Sequence, residues 1–289
     1  MTALVAVSNL KGGVGKSTTT MMLAEGLALR RKKILVVDLD PQSNSSYMLL
    51  SKQRVLTIAA GPNHFAAFLQ SLVSDAPRLT FSNYVTSHVS DLRELTEPQT
   101  GQVDLISAVP KLRFAEFAFE RDYVNRHALA DADLFLAEKI VDGINTLPTT
   151  YDAVLFDCSP AFSVTTRAAI VAATHIVSPT IPDFLSVVGL ADFVKFGLKE
   201  ALKCDSKPHA IVVTKYRKQD ESMTREDERL RQKYRVIGPR IPVSNNVTRA
   251  TEHARAGQLR LLREKYRGGL HGEVDKLAEE FWHWIEKAA

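Results

Sequence analysis

Six short apolar runs punctuate the chain: 3–7, 34–37 (Ile-Leu-Val-Val), 103–106, 153–156 (Ala-Val-Leu-Phe), 176–178 and 210–213 (Ala-Ile-Val-Val). They lack the apolar–polar alternation of a half-exposed strand, as expected of parallel strands covered on both faces. Between and after them, apolar positions recur at three- and four-residue spacing. That spacing predicts helices over 17–31, 111–121, 132–146, 163–173, 186–203, 221–234, 248–266 and 273–287. Strands alternating with helices predict an α/β fold, a doubly wound and mostly parallel β-sheet flanked by helices. Ligands on such sheets bind beyond the carboxyl ends of the strands. Residues 51–100 show no clear period and read as loops with one or two helices. With no repeat, low-complexity tract or evident linker, residues 1–289 read as a single domain.

Composition adds mainly exclusions. A hydrophobic share of 45% and a charged share of 24% over 289 residues suit a chain able to bury a sizeable core. No apolar run approaches the roughly 20 residues that span a bilayer. The first residues lack the basic, long apolar and small-residue regions of a secretion signal. Cys158 and Cys204 form neither a disulfide framework nor a metal spacing, so the expectation is a cytoplasmic protein with reduced thiols. The charge of +4 is unevenly spread. Lys195 to Arg267 holds 19 Lys and Arg against 9 Asp and Glu, leaving −6 for the rest. That asymmetry points to an anionic partner for the C-terminal half.

The chemistry concentrates where the first apolar run ends. Residues 11–18 read Lys-Gly-Gly-Val-Gly-Lys-Ser-Thr, between a predicted strand and a predicted helix. In that context glycines let backbone N–H groups curl around phosphate oxygens, and the helix N-terminus adds partial positive charge. Lys16 would reach the β/γ-phosphates and the Ser17 hydroxyl would ligate Mg²⁺. Leu10 and Lys11 stand where the usual phosphate loop begins with glycine. After the second run come Asp38-Leu39-Asp40-Pro41-Gln42, two carboxylates one residue apart, and after the fourth come Asp157-Cys158-Ser159-Pro160. An apolar strand ending in Asp has the form of an element that holds Mg²⁺. Each carboxylate motif alone is also an ordinary strand end or turn; the three in this order read as a nucleotide site.

These three motifs resemble the ParA/MinD family of deviant Walker ATPases. The Ile241-Pro242 segment followed by Ala250 is similar to that family's late nucleotide-binding loop. Asp-x-Asp-Pro-Gln with a basic C-terminal half looks more like the ParA branch, which positions DNA or other cargo. The resemblance implies ATP and Mg²⁺ as ligands, with Gly12, Gly13, Val14, Gly15, Lys16, Ser17 and Thr18 holding the phosphates. It implies Ser17 and Asp157 at the metal, Asp38 supporting the metal shell, and Asp40 orienting the attacking water. Lys11 would cross to the phosphates of a second subunit in an ATP-dependent homodimer, and Gly12 would sit where a side chain would clash with that subunit. Thr214, where an adenine-reading Asn is often found, and Pro242 would face the base. Ser159 replaces a second proline of the family pattern, and Arg167 replaces an Asn. Expected partners are non-specific DNA and a ParB-like or other cargo adaptor that stimulates hydrolysis, with the protein nucleoid-associated in the cytoplasm. The chain begins almost at its first strand, so no N-terminal sequence-reading module is expected.

The basic C-terminal half is read accordingly. Arg249, Arg255, Arg260, Arg263, Lys265 and Arg267 fall in the helix predicted over 248–266 and the turn after it. Arg260, Arg263 and Arg267 would share a face for the DNA backbone, with Leu259 and Leu262 turned to the core. Lys195, Lys199 and Lys203, at i, i+4 and i+8, would add to that surface. In the last helix, Val274, Leu277, Ala278, Phe281 and Ile285 form an apolar stripe beside Trp282 and Trp284. Acidic residues outnumber basic ones there, so the stripe is expected to dock on the protein's own core rather than on anionic lipid. Two rival readings are a MinD-like membrane-associated ATPase and a metabolic relative of the same fold.

Overall fold

The computed structural model describes residues 2–74, 79–97, 100–126, 132–253 and 258–288. Among these residues the strands are β1 (Ala3–Val7), β2 (Lys33–Leu39), β3 (Val85–Thr86), β4 (Gln102–Ile106), β5 (Ala153–Cys158), β6 (His175–Thr180), β7 (His209–Val213) and β8 (Arg235–Val236). They form one sheet in the order β3-β4-β2-β5-β1-β6-β7-β8. All pairings are parallel except β3 with β4, which is antiparallel at the edge. The fold is therefore the α/β architecture that the apolar runs imply. The two edge strands, two residues each, are too short to leave a sequence signal.

Twelve helices are described around the sheet, and those that bear on the argument begin with α1 (Lys16–Leu29), α2 (Asn44–Leu49), α3 (Lys52–Ala60) and α4 (Phe65–Ser71). The series continues through α5 (Leu112–Arg126), α6 (Ala132–Asn145), α7 (Val164–Ala172), α8 (Phe184–Asp192) and α9 (Glu221–Lys233). It ends with α10 (Asn245–Ala250), α11 (Leu262–Lys265) and α12 (Leu270–Ala288). Alternate residues of β1 feed opposite cores. Leu4 and Ala6 pack with α4 to α8, whereas Ala3 and Val5 pack with α1 and α12. Because both faces are covered, the central strands are mostly apolar and lack a regular polar stripe, although Asp38, Asp104, Asp157 and Ser178 are buried within them.

On the second face, α12 lies directly on α1. Val274, Leu277, Ala278, Phe281, Trp284 and Ile285 are all buried there, which bears out the docking expected of the stripe. Gly26 makes this crossing possible: a Cβ at that position would lie 2.8 Å from Ala278 Cβ and 3.1 Å from the Val274 carbonyl. On the other face, Arg167 of α7 donates from Nε to Asp133 of α6 at 2.8 Å and from Nη2 to Glu120 of α5 at 2.9 Å. It also donates from Nη1 to the Phe162 carbonyl, so one guanidinium fastens three helices.

Two predicted helices take a different form. The axis of α8 continues as a π-helical segment, Phe193–Ala201. Its i→i+5 bonding breaks the repeat on which the spacing of Lys195, Lys199 and Lys203 depended, and Lys203 lies beyond its end with φ +54. These lysines are exposed but do not form the helical row expected of them. The helix predicted over 248–266 is likewise absent as such. α10 ends at Ala250, residue 260 bridges to Leu92 in extended conformation, and α11 is a single turn.

Candidate nucleotide site

β1, β2 and β5 are neighbours in the sheet, and their carboxyl ends bring the three motifs together. Val7 of β1 and Asp38 of β2 are both in register with Asp157 of β5. The phosphate loop follows β1, and Gly13 (φ 71) and Gly15 (φ 89) carry its two left-handed turns. Gly15 also caps α1, which starts with no side-chain cap and no acidic residue in its first turn. The amino-terminal N–H groups of this helix are thus left for an anion.

The loop, α2 and the end of β7 enclose a cavity of ≈ 350 Å³, lined by Gly13, Gly15, Lys16, Ser17, Thr18, Asp40, Gln42, Asn44, Met48, Pro160 and Lys215. A larger cavity of ≈ 480 Å³ lies at the amino ends of β2 and β4, beside Lys33 and Gln102. It has no phosphate-binding loop, so chemistry rather than size marks the site.

Lys16 is buried at 7% exposure. Its ammonium donates to the carbonyls of Asn9 at 2.9 Å and Lys11 at 3.1 Å, back across the loop. Burial pulls its pKa below the usual lysine range, against the opposing charges of Asp157 and Asp40. Lys11 behaves differently. It does not line the cavity. Its ammonium donates instead to Ser186 Oγ at 2.7 Å and Asp183 Oδ1 at 3.3 Å, at the start of α8. A Cβ added at Gly12 would meet nothing within 4 Å, so the protomer itself does not demand glycine there.

The carboxylates divide their work. Asp157 accepts a hydrogen bond from Ser45 at 2.6 Å through Oδ2, while its buried Oδ1 has no protein partner. Burial, with the charge of Asp40 adding, pushes its carboxyl up to about 6, despite the Ser45 hydrogen bond and the nearby Ser17 hydroxyl and Lys16 ammonium. Asp38 is fully buried and does not line the cavity. Both its oxygens are engaged, by the Asp40 N–H at 3.1 Å and by the Ser46 N–H and hydroxyl at 2.9 and 2.7 Å. Burial and the charge of Asp157 hold its carboxyl well above the ordinary range. Asp40 lines the cavity, and its Oδ1 accepts the Gln42 N–H at 2.9 Å, which fixes the turn into α2.

Thr214 sits under the loop rather than open to the cavity: its hydroxyl donates to the Val14 carbonyl at 2.7 Å and it is buried. Pro242 bridges to Tyr216 and does not line the cavity. The residue that reaches the cavity from β7 is Lys215, in a left-handed conformation with φ 52. It escaped the sequence reading, although its place just past an apolar strand is where sheet ligands are met. Cys158 and Cys204 are free and buried.

The basic residues of the C-terminal half scatter rather than align. Arg249, Arg263 and Arg267 are exposed, on α10, on α11 and in the turn before α12. Arg260 is drawn inward to Asp91 at 2.6 Å, and its guanidinium also donates to the carbonyls of Arg249 and Glu252. It therefore shares no helix face with Arg263 and Arg267. Lys265 is fully buried between Glu25 of α1 at 2.6 Å and Asp91 at 2.7 Å, beside Tyr266. Leu259 is exposed, against expectation, while Leu262 packs on the α1–α12 core as expected. Arg255 lies outside the described residues.

Comparison with known proteins agrees with the motifs. The family model described as an AAA domain matches residues 2–203. The chain is 28% identical over 209 residues to the chromosome partitioning protein ParA of Myxococcus xanthus, covering 70% of this chain and 62% of that protein. It is 27% identical over 195 residues to the sporulation initiation inhibitor protein Soj of Bacillus subtilis, covering 67% and 64%. The chain thus spans less than two thirds of the length of either relative. The fold is shared with a putative plasmid partition protein from Borrelia burgdorferi bound to AMPPNP, at TM-score 0.71 and 20% identity over 98% of this chain and 99% of that one. Among the described residues, no helix is long and apolar enough to cross a membrane. The chain belongs to the AAA-domain family of ParA-type P-loop ATPases.

Proposed function

We propose that this protein is a Mg²⁺-dependent positioning ATPase that pairs with a second copy of itself on binding ATP, then associates with DNA without sequence preference. The observation that carries this reading is the division between the two lysines of one loop. Lys16 lines the cavity, whereas Lys11 stands outside it and turns its ammonium to Ser186 and Asp183. A lysine so placed suits phosphates presented by a partner, where it would neutralise charge as an arginine finger does in trans. Gly12, where an added Cβ would meet nothing of its own chain within 4 Å, leaves room for that partner to approach.

Within the protomer the residues present fit a nucleotide and its metal. Gly13, Gly15 and the uncapped start of α1 would hold phosphate oxygens, with Thr18 at the α-phosphate. Lys16 would exchange its two loop carbonyls for β/γ-phosphate oxygens. The free Oδ1 of Asp157 and the Ser17 hydroxyl would hold Mg²⁺, which supplies charge neutralisation at the phosphates when bound. No group of three His, Cys, Asp or Glu side chains among the described residues could hold a metal unaided. Phosphate and water oxygens would complete the shell. Asp40 would orient the attacking water, and Asp38, spent on Ser46 and the Asp40 N–H, would position Asp40 rather than ligate the metal. Lys215, with Thr214 and Pro242 behind it, would form the side of the site nearest the base.

The exposed Arg249, Arg263 and Arg267 support attraction to a phosphate backbone, with affinity falling steeply as salt rises. A ParB-like or other cargo adaptor would stimulate hydrolysis and so release the dimer from DNA, giving a cytoplasmic, nucleoid-associated cycle. The rival membrane reading loses its main support because the apolar stripe of α12 is buried on α1. The test is sedimentation of the purified protein with ATP and Mg²⁺, together with binding to random duplex DNA at graded salt. ATP-dependent dimers and salt-sensitive DNA binding are expected. ATP turnover without either would refute the reading in favour of a metabolic enzyme of the same fold.

A further inference from the structure

We propose that Ser45 is a positioning residue that acts through Asp157, holding one carboxylate oxygen so that the other is presented to Mg²⁺. The proposal rests on the reading that a nucleotide and Mg²⁺ occupy the site. It begins from a problem set by the sheet. Asp38 and Asp157 are register partners on neighbouring parallel strands, so their side chains leave the same face side by side, and both are fully buried. Two carboxylates so placed repel one another, and each needs the donors that water would otherwise supply.

Two consecutive serines of α2 answer that problem differently. Ser46 gives Asp38 both its N–H and its hydroxyl, at 2.9 and 2.7 Å, and the same hydroxyl accepts the Ala108 N–H at 3.2 Å. With the Asp40 N–H on its other oxygen, Asp38 is satisfied by protein alone. Ser45 donates to Asp157 Oδ2 at 2.6 Å, while Oδ1 is buried with no partner among the described residues. A buried carboxylate oxygen without a donor is costly unless a ligand meets it. The Ser17 hydroxyl beside this carboxylate lines the cavity, which puts Asp157 at the wall of the nucleotide site. Without the Ser45 bond the carboxylate could rotate about its Cβ–Cγ bond, and no single oxygen would be kept for a metal. The serine is itself well held. It is fully buried, and the turn before it is fixed by the Ser43 N–H on the Asp40 carbonyl at 2.7 Å. Asn44 and Met48 of the same helix line the cavity, so α2 carries cavity wall and carboxylate support together.

The test follows thermal stabilisation of the protein by AMPPNP, first in EDTA and then as Mg²⁺ is added. Losing the orienting partner of a metal ligand weakens metal binding by about ten- to a hundredfold. Ser45→Ala should therefore need about ten- to a hundredfold more Mg²⁺ for half of the metal-dependent stabilisation. Its apparent affinity for AMPPNP in EDTA should stay at the wild-type value. Ser43→Ala is the matched control, because it removes a buried hydroxyl without a partner from the turn before Ser45, and its Mg²⁺ requirement should not change. Ser45→Cys keeps the volume but donates only weakly, so it should shift the requirement in the same direction as alanine. It carries the test if the alanine variant does not fold. A Ser45→Ala protein with the wild-type Mg²⁺ requirement overturns the proposal, and the metal reading stands. So does an equal shift in Ser43→Ala, or a loss of AMPPNP affinity that is the same with and without Mg²⁺, since either marks a merely structural serine. If AMPPNP stabilises the wild type no better with Mg²⁺ than in EDTA, the metal reading falls and the role of Ser45 falls with it.

Discussion

Replacing Lys265 by Met puts the corrected reading of the C-terminal half to a quantitative test. The ammonium is fully buried and touches Glu25 at 2.6 Å and Asp91 at 2.7 Å, both also fully buried. After its removal Asp91 keeps Arg260, but Glu25 is left with the hydroxyls of Ser90 and Tyr266 and with no ion pair among the described residues. Breaking a buried ion pair at one partner costs about 3–5 kcal/mol. Methionine recovers a little by filling the volume, so a loss of about 3–4 kcal/mol is expected. For a chain of this size that lowers the melting temperature by roughly 6–16 °C. The control is Arg263→Met, which removes the same charge from an exposed position and should stay within about 0.5 kcal/mol of wild type. Urea denaturation and calorimetry give the two values, and DNA titration at low salt should reverse the order of the effects. Adding Glu25→Gln to Lys265→Met should recover part of the loss, because the uncompensated charge goes with it. A loss below about 1 kcal/mol for Lys265→Met would refute the assignment of this lysine to a structural ion cluster.

Three further outcomes are expected. Lys16→Ala should abolish the thermal stabilisation that ATP with Mg²⁺ gives the wild type, as read by differential scanning fluorimetry, while leaving the fold intact. The Asp157 carboxyl at about 6 lies above its unfolded value, so its ionised form strains the nucleotide-free protein above pH 6, and the strain is relieved as pH falls through 6. Asp157→Asn should therefore stabilise that form at pH 8 by up to about 3 kcal/mol and have no such effect near pH 4, measured by urea denaturation. Gly26→Val should cost about 2–4 kcal/mol by forcing α12 off α1, and Ala278→Gly should partly rescue it in the same assay.

What the sequence made legible was local. Most long strands hold an apolar run of three or more residues, because a strand covered on both faces has no exposed side that calls for regular polar alternation. The phosphate loop is legible for a related reason: one short segment supplies the turns, the helix start and Lys16. The stretch 248–266 was misread because its Arg and Leu spacing fits a helix, while the contacts that decide its path are remote. Arg260 and Lys265 are pulled to Asp91 and Glu25, which lie 169 and 240 residues away. An ion pair at such a separation leaves no periodic trace in the chain. Lys215 escaped notice because its place in the cavity follows from the sheet order, which sets β7 two strands from β1.

The position of β1 bears on how the protein comes apart. It lies inside the sheet between β5 and β6, with edge strands of two residues at either margin. Opening that begins at either margin must part at least three strands before it reaches β1. Amide protons of Ala3–Val7 should then exchange only on complete unfolding, while those beyond β7 exchange through partial opening. A protease acting on the native protein would sever the arginine-bearing segment before the phosphate grip is lost. ATP affinity and DNA affinity would decay at different rates in such a digest, and the fragment that outlasts the other would still hold the nucleotide.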